Sequence, residues 1–262
     1  MSRRRKKDYI KVFKKLLDLV PSPQVEKVML DFEAAMWSAL RELMANGIFP
    51  KVDLRGCLFH FTQAVFRRII ILGLKEQYSK DAGTAYLCRQ CMSLPLIPTE
   101  HVPLVFPELK RRLLESEVTK LHDLVPYIEN TWINGMWNPS NWGHFNQAIR
   151  TNNDVEGFHN KMNHICQKPN VEFSTLVKEL HKEAVFIHTT AVHVFSGQTT
   201  RKRKPAQVAC QDQLKSLWEQ ISNKQIDGLR VVEKAAGLIT PQEYWAAEED
   251  SRADLDDDDD DQ

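Results

Sequence analysis

The sequence predicts an α/β chain that is mostly helical. Three observations carry this. Two short runs, Val28-Met29-Leu30 and Val52-Asp53-Leu54, are β-type and each is followed directly by a helical pattern. Apolar residues recur at helical spacing over most of the remaining chain. Between Lys75 and Arg150 no strand-like alternation is strong enough to predict a strand, and the stretch reads as short helices.

In chain order, Asp8–Val20 carries Ile10, Phe13, Leu17 and Val20 on one helical face, and Pro21-Ser22-Pro23 ends it. The first strand follows and ends on Asp31. A helix begins at once, with Phe32, Met36, Ala39, Leu40 and Leu43 in close to unbroken i, i+3, i+4, i+7 spacing, and Gly47 stops it. The second strand leads into Gly56-Cys57-Leu58-Phe59-His60 and a helix that continues over Phe61–Leu72 with Gly73 as its stop. Cys57 and His60 are three apart, and so share a face if the helical turn begins there. A carboxylate at the C-terminal end of a strand is well placed for chemistry, because sites on α/β sheets gather at that edge. The alternative for Asp31 is structural, as a cap on the helix that follows.

From Lys75 onward short helices are expected, broken by Pro95, Pro98, Pro103, Pro107 and Pro126. Trp132–Phe145 is aromatic and turn-rich and reads as a bent loop packed on a core. An Asn-rich turn at Asn152-Asn153 then feeds a helix whose Glu156, His159, Asn160 and Asn163 fall on one polar face. That stripe is a solvated face or the wall of a site, and Asn153 with Glu156 also resembles a capping box. Val171–Phe195 is a long helix, with Phe173, Leu176, Val177, Leu180, Ala184, Ile187, Ala191 and Val194 on one face. Its histidines, His181, His188 and His193, share no metal-ligand spacing. Ser196–Gln207 reads as a linker with the basic cluster Arg201-Lys202-Arg203-Lys204, Gln213–Ser222 as one more short helix, and the chain beyond it as losing order.

Composition narrows the class. Among 262 residues, 42% are hydrophobic and 27% charged, as in an ordinary soluble protein. No apolar run approaches the roughly 18–20 residues that span a bilayer, and no signal-type segment follows Arg3-Arg4-Arg5-Lys6-Lys7. Five cysteines are too few and too scattered for a disulfide framework and suggest reduced thiols. The net charge of zero hides an asymmetry. Ten of the last fifteen residues are acidic, and without them 34 bases face 25 acids, a body of +9 that suits a polyanionic partner. The acidic tail reads as a solvated extension.

The ordered set DYIKVFKKLL, VMLDFEAAMWSAL, FPKVDLRGCLFHFTQAVFRRI, SLPLIP and TNNDVEGFHNKMN resembles the Mutator-like element (MULE) transposase domain over roughly residues 1–165. The resemblance implies a ribonuclease H-like core interrupted by a helical insertion, and an Asp-Asp-Glu triad that holds Mg²⁺ (or Mn²⁺) for DNA strand cleavage and transfer. Two such ions about 4 Å apart activate the attacking oxygen and stabilise the leaving one, and hard oxygen ligands suit them. By position Asp31 matches the second acid and Glu156 the third, both as metal ligands. Cys57 and His60 match the Cys-x-x-His signature between them. Asn152, Asn153 and Asn160 match polar residues around the last acid, with His159 as a further site-lining residue.

The first acid has no match. The chain is expected to start at what is an internal methionine of longer relatives, with the first three strands largely missing, and Arg3–Lys7 then becomes a strand-to-helix connection. The implied organisation is a partial core at 1–72, a helical insertion at 73–150, core helices carrying the third acid at 151–195, a basic linker with a short helix at 196–247, and an acidic disordered tail at 248–262. The strand at Val25–Leu30 should present an open edge, and Asp31 and Glu156 should lie near each other. The implied partner is DNA at transposon ends, with a homo-oligomer as a further expectation and no membrane. The family and the cluster Arg201 to Lys204 imply the nucleus, with the cytoplasm as the alternative. Zinc held by Cys57, His60, Cys88 and Cys91 is the less favoured metal reading, since the family signature has no counterpart of Cys88 and Cys91, which are otherwise two helix-surface or core thiols. The resulting expectation is a fragment of a DDE transposase, inactive alone. The alternatives are a domesticated DNA- or protein-binding remnant without chemistry and an incomplete gene product.

Overall fold

The structure is a computed structural model, and it describes residues 5–20, 23–166, 171–196 and 205–239. Arg3 and Arg4, Pro21 and Ser22, the cluster Arg201 to Lys204 and the acidic tail at 248–262 lie outside the described residues. The described chain is mostly helical with a single two-stranded parallel sheet. It divides into two compact units, one of Met1–Thr151 with Gln213–Gln262 and one of Asn152–Asp212.

The first unit opens with α1 (Lys6–Leu19), β1 (Lys27–Leu30), α2 (Ala34–Ala45), β2 (Asp53–Gly56) and α3 (Leu58–Ile71). β1 and β2 are parallel, in the register Lys27↔Asp53 to Leu30↔Gly56. A parallel pair needs a crossover, and α2 supplies it. Gly47, at φ +66°, makes the turn that ends α2. α1 lies against α2, with Tyr9 buried and the Phe13 and Phe49 rings edge to face at 5.8 Å. Among the described residues no third strand joins β1.

The core is built by α3 with the helices after it: α4 (Lys75–Lys80), α5 (Ala82–Ser93), α6 (Val102–Leu114), α7 (Leu124–Ile128) and α8 (Pro139–Trp142). Phe61, Val65, Phe66 and Ile69 of α3 are buried among Cys88, Met92, Leu109 and Ile128 of this set. Three of the prolines expected to break helices do not. Pro103 sits in the first turn of α6, where its missing N–H has no helical partner to lose, and α6 runs on through Pro107, while Pro126 lies inside the short α7. The aromatic loop is packed as expected: Trp132, Trp137 and Trp142 are all buried, and the Trp142 indole donates to the carbonyls of Trp132 (2.7 Å) and Trp137 (3.1 Å).

Beyond the second unit's α9 (Asn153–Cys166) and α10 (Phe173–Phe195), two expectations are corrected. The helix expected at Gln213–Ser222 starts at Pro205, inside the expected linker, and forms α11 (Pro205–Ser222). Proline at the first helical position fixes φ at a helical value and loses no bond. Past Ser222 the chain keeps its order: α12 (Gly228–Ala235) is capped by the Asp227 carboxylate, which accepts from the Arg230 N–H, and buries Val231, Val232 and Ala235. Trp218 of α11 is pinned by its indole N–H to the Leu96 carbonyl at 2.7 Å, and Arg112 of α6 pairs with Glu233 of α12 at 2.9 Å.

Candidate functional site

The parallel register places Asp31 and Cys57 side by side, one residue past the ends of β1 and β2, and the Cys57 N–H donates to the Leu30 carbonyl at 2.8 Å. Both belong to the C-terminal edge of the sheet, the edge at which α/β sites form. Cys57 is the N-cap residue of α3, fully buried, and His60 lies in the first turn of that helix. The turn does begin there, so the two signature residues project from one helix start.

Asp31 does not cap α2. The N-cap position is Glu33, in extended conformation, and the helix begins at Ala34 rather than Phe32. The delay has a steric cause. The Phe32 ring lies over Gly56, where a Cβ would come within 2.2 Å of the ring carbon Cζ. The ring also meets Trp132 edge to face at 4.7 Å and Trp137 at 5.4 Å. Seating Phe32 there keeps Asp31 outside the helix. The Trp37 indole N–H donates to the Asp31 backbone carbonyl at 2.7 Å and fixes the segment from the other side.

Freed from capping, the Asp31 carboxylate turns to α3. Its Oδ1 lies 3.0 Å from Nδ1 of His60, with the Asp31 side chain 52% exposed and that of His60 26% exposed. The acid and the histidine read independently from the sequence therefore meet across the strand ends. The carboxylate is an oxygen donor open to solvent, which suits a hard divalent cation that keeps several waters. Asp31 fits that role at the level of donor chemistry and exposure.

A further group joins this edge without a sequence signal. The Leu58 N–H, one of the helical donors at the start of α3 that lack an intrahelical partner, donates to the Arg150 carbonyl at 2.8 Å. Arg150 thus ties the end of the first unit to the start of α3. The Arg150 guanidinium lies over the Trp218 ring at 5.6 Å from its centroid. Below the edge, His144 is completely buried, and its Nε2–H donates to the Gly56 carbonyl at 2.8 Å. Burial, with Arg55 and Arg150 nearby, holds the His144 imidazole down at about 4, against the pull of the Gly56 carbonyl.

In the second unit α9 forms over Asn153–Cys166, so Glu156, His159, Asn160 and Asn163 do share one helical face. His159 and Asn160 are exposed and Asn152 is half-buried. The side chains of Asn153 and Glu156 lie outside the described residues. The helix starts at Asn153, and the Val155 N–H donates to the Asn152 carbonyl at 2.8 Å. Glu156 consequently falls one residue past the place a capping box would use.

The cysteine pair of α5 lies in the core. Cys88 and Cys91 of α5 are fully buried, and burial pushes the Cys88 thiol up to about 12 and Cys91 in the same direction. Among the described residues no helix is long and apolar enough to cross a membrane, and no group of three or more His, Cys, Asp or Glu side chains is gathered as a metal cluster. Family models, curated proteins and solved structures were all compared with this chain, and none matches.

Proposed function

We propose that this chain is part of a MULE-type DDE transposase core, carrying the second and third acids on a partial ribonuclease H-like scaffold. The observation that carries the reading is the meeting of Asp31 with His60 at the ends of two parallel strands, beside Cys57. Asp31, which matches the second acid by position, lies beside His60 of the Cys-x-x-His pair, and the N-cap position of α2 is Glu33; both support this reading. Asp31 and Glu156 are the residues that would hold Mg²⁺ or Mn²⁺. When bound, such an ion supplies charge stabilisation at a phosphoryl oxygen and a more acidic bound water. In this reading His60 would position the Asp31 carboxylate, and Asn152, Asn153, His159 and Asn160 are the further residues proposed to serve the same chemistry. DNA ends are the proposed substrate, the nucleus the proposed compartment, and inactivity of this chain by itself is part of the proposal, because Asp31 and Glu156 are two acids of a three-acid triad.

The test is Mg²⁺-dependent nicking of duplex DNA bearing terminal repeats by the purified chain, with Asp31→Ala and Glu156→Ala alongside. No cleavage by any of the three is the expected result. Metal-dependent nicking that both substitutions abolish would overturn the inactivity of the chain alone. A second reading, a domesticated DNA-binding remnant without chemistry, draws on the +9 charge of the body. It requires DNA binding that weakens steeply with salt and is indifferent both to divalent metal and to the two substitutions.

A further inference from the structure

The solvent side of α1 carries positive charge that its own unit leaves unneutralised. Lys7, Lys11 and Lys14 are spaced four and three residues apart, so they form one stripe, on the side of the helix away from the buried Tyr9. All three are exposed, and among the described residues no carboxylate pairs with them. Glu42 of α2 is engaged by Lys6 at 2.6 Å, Asp8 by Arg5 at 3.4 Å and Asp18 by Lys15 at 3.9 Å. Beside the lysines, Val12, Leu16 and Leu19 form a second stripe, 40%, 48% and 66% exposed. Within the first unit α1 thus packs by one face and keeps a basic stripe and an apolar one open.

One stretch of the chain is complementary in both respects. Residues 248–261 hold ten acids and one base, Arg252, and Tyr244 and Trp245 stand just ahead of them. The stretch belongs to the same compact unit as α1. It is also long enough. The 17 residues from Ile239 to Asp256 (256 − 239) span up to about 58 Å when extended, against a radius of gyration of about 16 Å for a unit of this size. A tether of that length holds the acids at roughly millimolar effective concentration over the unit's surface. The second unit offers no such counterpart to the lysines, with eight bases to six acids in residues 152–212. Its cluster Arg201 to Lys204 matches the acids but not the aromatic pair.

We infer that residues 244–261 dock on α1 of the same chain, the acids along Lys7, Lys11 and Lys14 and the aromatic pair against Val12, Leu16 and Leu19. Attraction at such a surface is screened beyond about 10 Å at 0.1 M salt, so the contact holds at low ionic strength and is released at high. While it holds, it withholds the lysine stripe from any other polyanion. The docking stands without the transposase reading; that reading adds only that the excluded polyanion is DNA.

Carbodiimide coupling of the full chain at about 1 μM, which joins a carboxylate to a lysine amine in direct contact, tests it without nucleic acid. The expected product is a monomer with amide links from residues 248–261 to Lys7, Lys11 or Lys14, reduced about tenfold or more in about 0.5 M salt. The Lys6–Glu42 pair couples alongside and reports that α1 keeps its place on α2. No link from the acidic stretch, links spread evenly over the exposed lysines, links to Lys202 and Lys204 instead, or links found only in dimers would each overturn the inference. Binding of a fluorescein-labelled heparin oligosaccharide, read by anisotropy at about 50 mM salt, gives a second measure. Lys7→Gln, Lys11→Gln and Lys14→Gln together should weaken binding by less than about twofold in the wild-type chain, where the stripe is already covered. In a chain carrying Asp256→Asn through Asp261→Asn the same three changes should weaken it about tenfold or more. Equal weakening in both backgrounds would overturn the docking on α1.

Discussion

Asp31 Oδ1 and His60 Nδ1 lie 3.0 Å apart across the ends of two parallel strands, and neither residue serves a helix as its cap. A half-exposed pair of this kind contributes little to stability, roughly 0–1 kcal/mol. Asp31→Ala should therefore change unfolding free energy by less than about 0.5 kcal/mol, since the backbone carbonyl that accepts from Trp37 is untouched. Chemical denaturation followed by tryptophan fluorescence measures it. A loss of about 1–2 kcal/mol would restore Asp31 to the capping role.

The seat of Phe32 on Gly56 is what sets this geometry, and it gives a sharper prediction. Gly56→Ala would bring a Cβ to 2.2 Å from Cζ of Phe32, in a ring already held by Trp132 and Trp137. The ring must move, at a cost of about 1–3 kcal/mol. The expected double-mutant result is that Phe32→Leu recovers part of this loss in the Gly56→Ala background. Strictly additive effects would mean that the two side chains do not compete for the same space.

Much of this site was legible in sequence because its parts are local. A β-type run ending on Asp31, a helix after it and a Cys-x-x-His at the next strand end need only short-range patterns to be seen. The contact between Asp31 and His60 was not legible, because it depends on strand register and on an aromatic ring choosing a glycine. The start of α2 shifted from Phe32 to Ala34 for the same reason. The helix at Gly228–Ala235 is short, and its buried residues Val231, Val232 and Ala235 cover too few turns to establish a period in sequence; the capping Asp227 is a local signal of its start. Pro205 falls inside the expected linker, and its tolerance at a helix start is positional rather than compositional. The apolar face of α10 was recognised, but its exposure is a property of tertiary arrangement that periodicity alone does not reveal.

His144 supplies a pH dependence whose sign is fixed. Its imidazole is buried neutral, with Nε2–H on the Gly56 carbonyl, and titrates at about 4 against an ordinary value of 6.5. The folded state thus binds fewer protons than the unfolded state between those values, so stability is complete above about 6.5 and falls as pH drops toward 4. The loss over that window is about 3 kcal/mol. His144→Gln keeps a donor for Gly56 and removes the titration. It should flatten the stability profile between pH 6.5 and 4.5, read as the urea midpoint at each pH. A wild-type profile already flat there would show that His144 protonates without consequence for folding. The paired carboxylates Glu108, held at about 2 by Arg111 and Arg112, and Glu233, lowered by Arg230 and Arg112 against the opposing effect of burial, contribute their own losses as pH falls further.

Asp31 and Glu156 are 125 positions apart (156 − 31) and belong to different compact units, so a shared metal ion makes a demanding prediction. Under the transposase reading, Mn²⁺ bound to the chain should be detectable by its loss of free-ion resonance on titration. Asp31→Ala and Glu156→Ala should each weaken binding at least tenfold, or about 1.4 kcal/mol. The decisive arm is the double variant. If one ion bridges the two carboxylates, removing the second after the first costs little more, and the two effects are strongly non-additive. Independent weak sites on two exposed acids would instead give small effects that add. His60→Ala belongs in the same series. Because His60 contacts the carboxylate itself, its loss should alter metal affinity through the orientation of Asp31, and that change should vanish in the Asp31→Ala background.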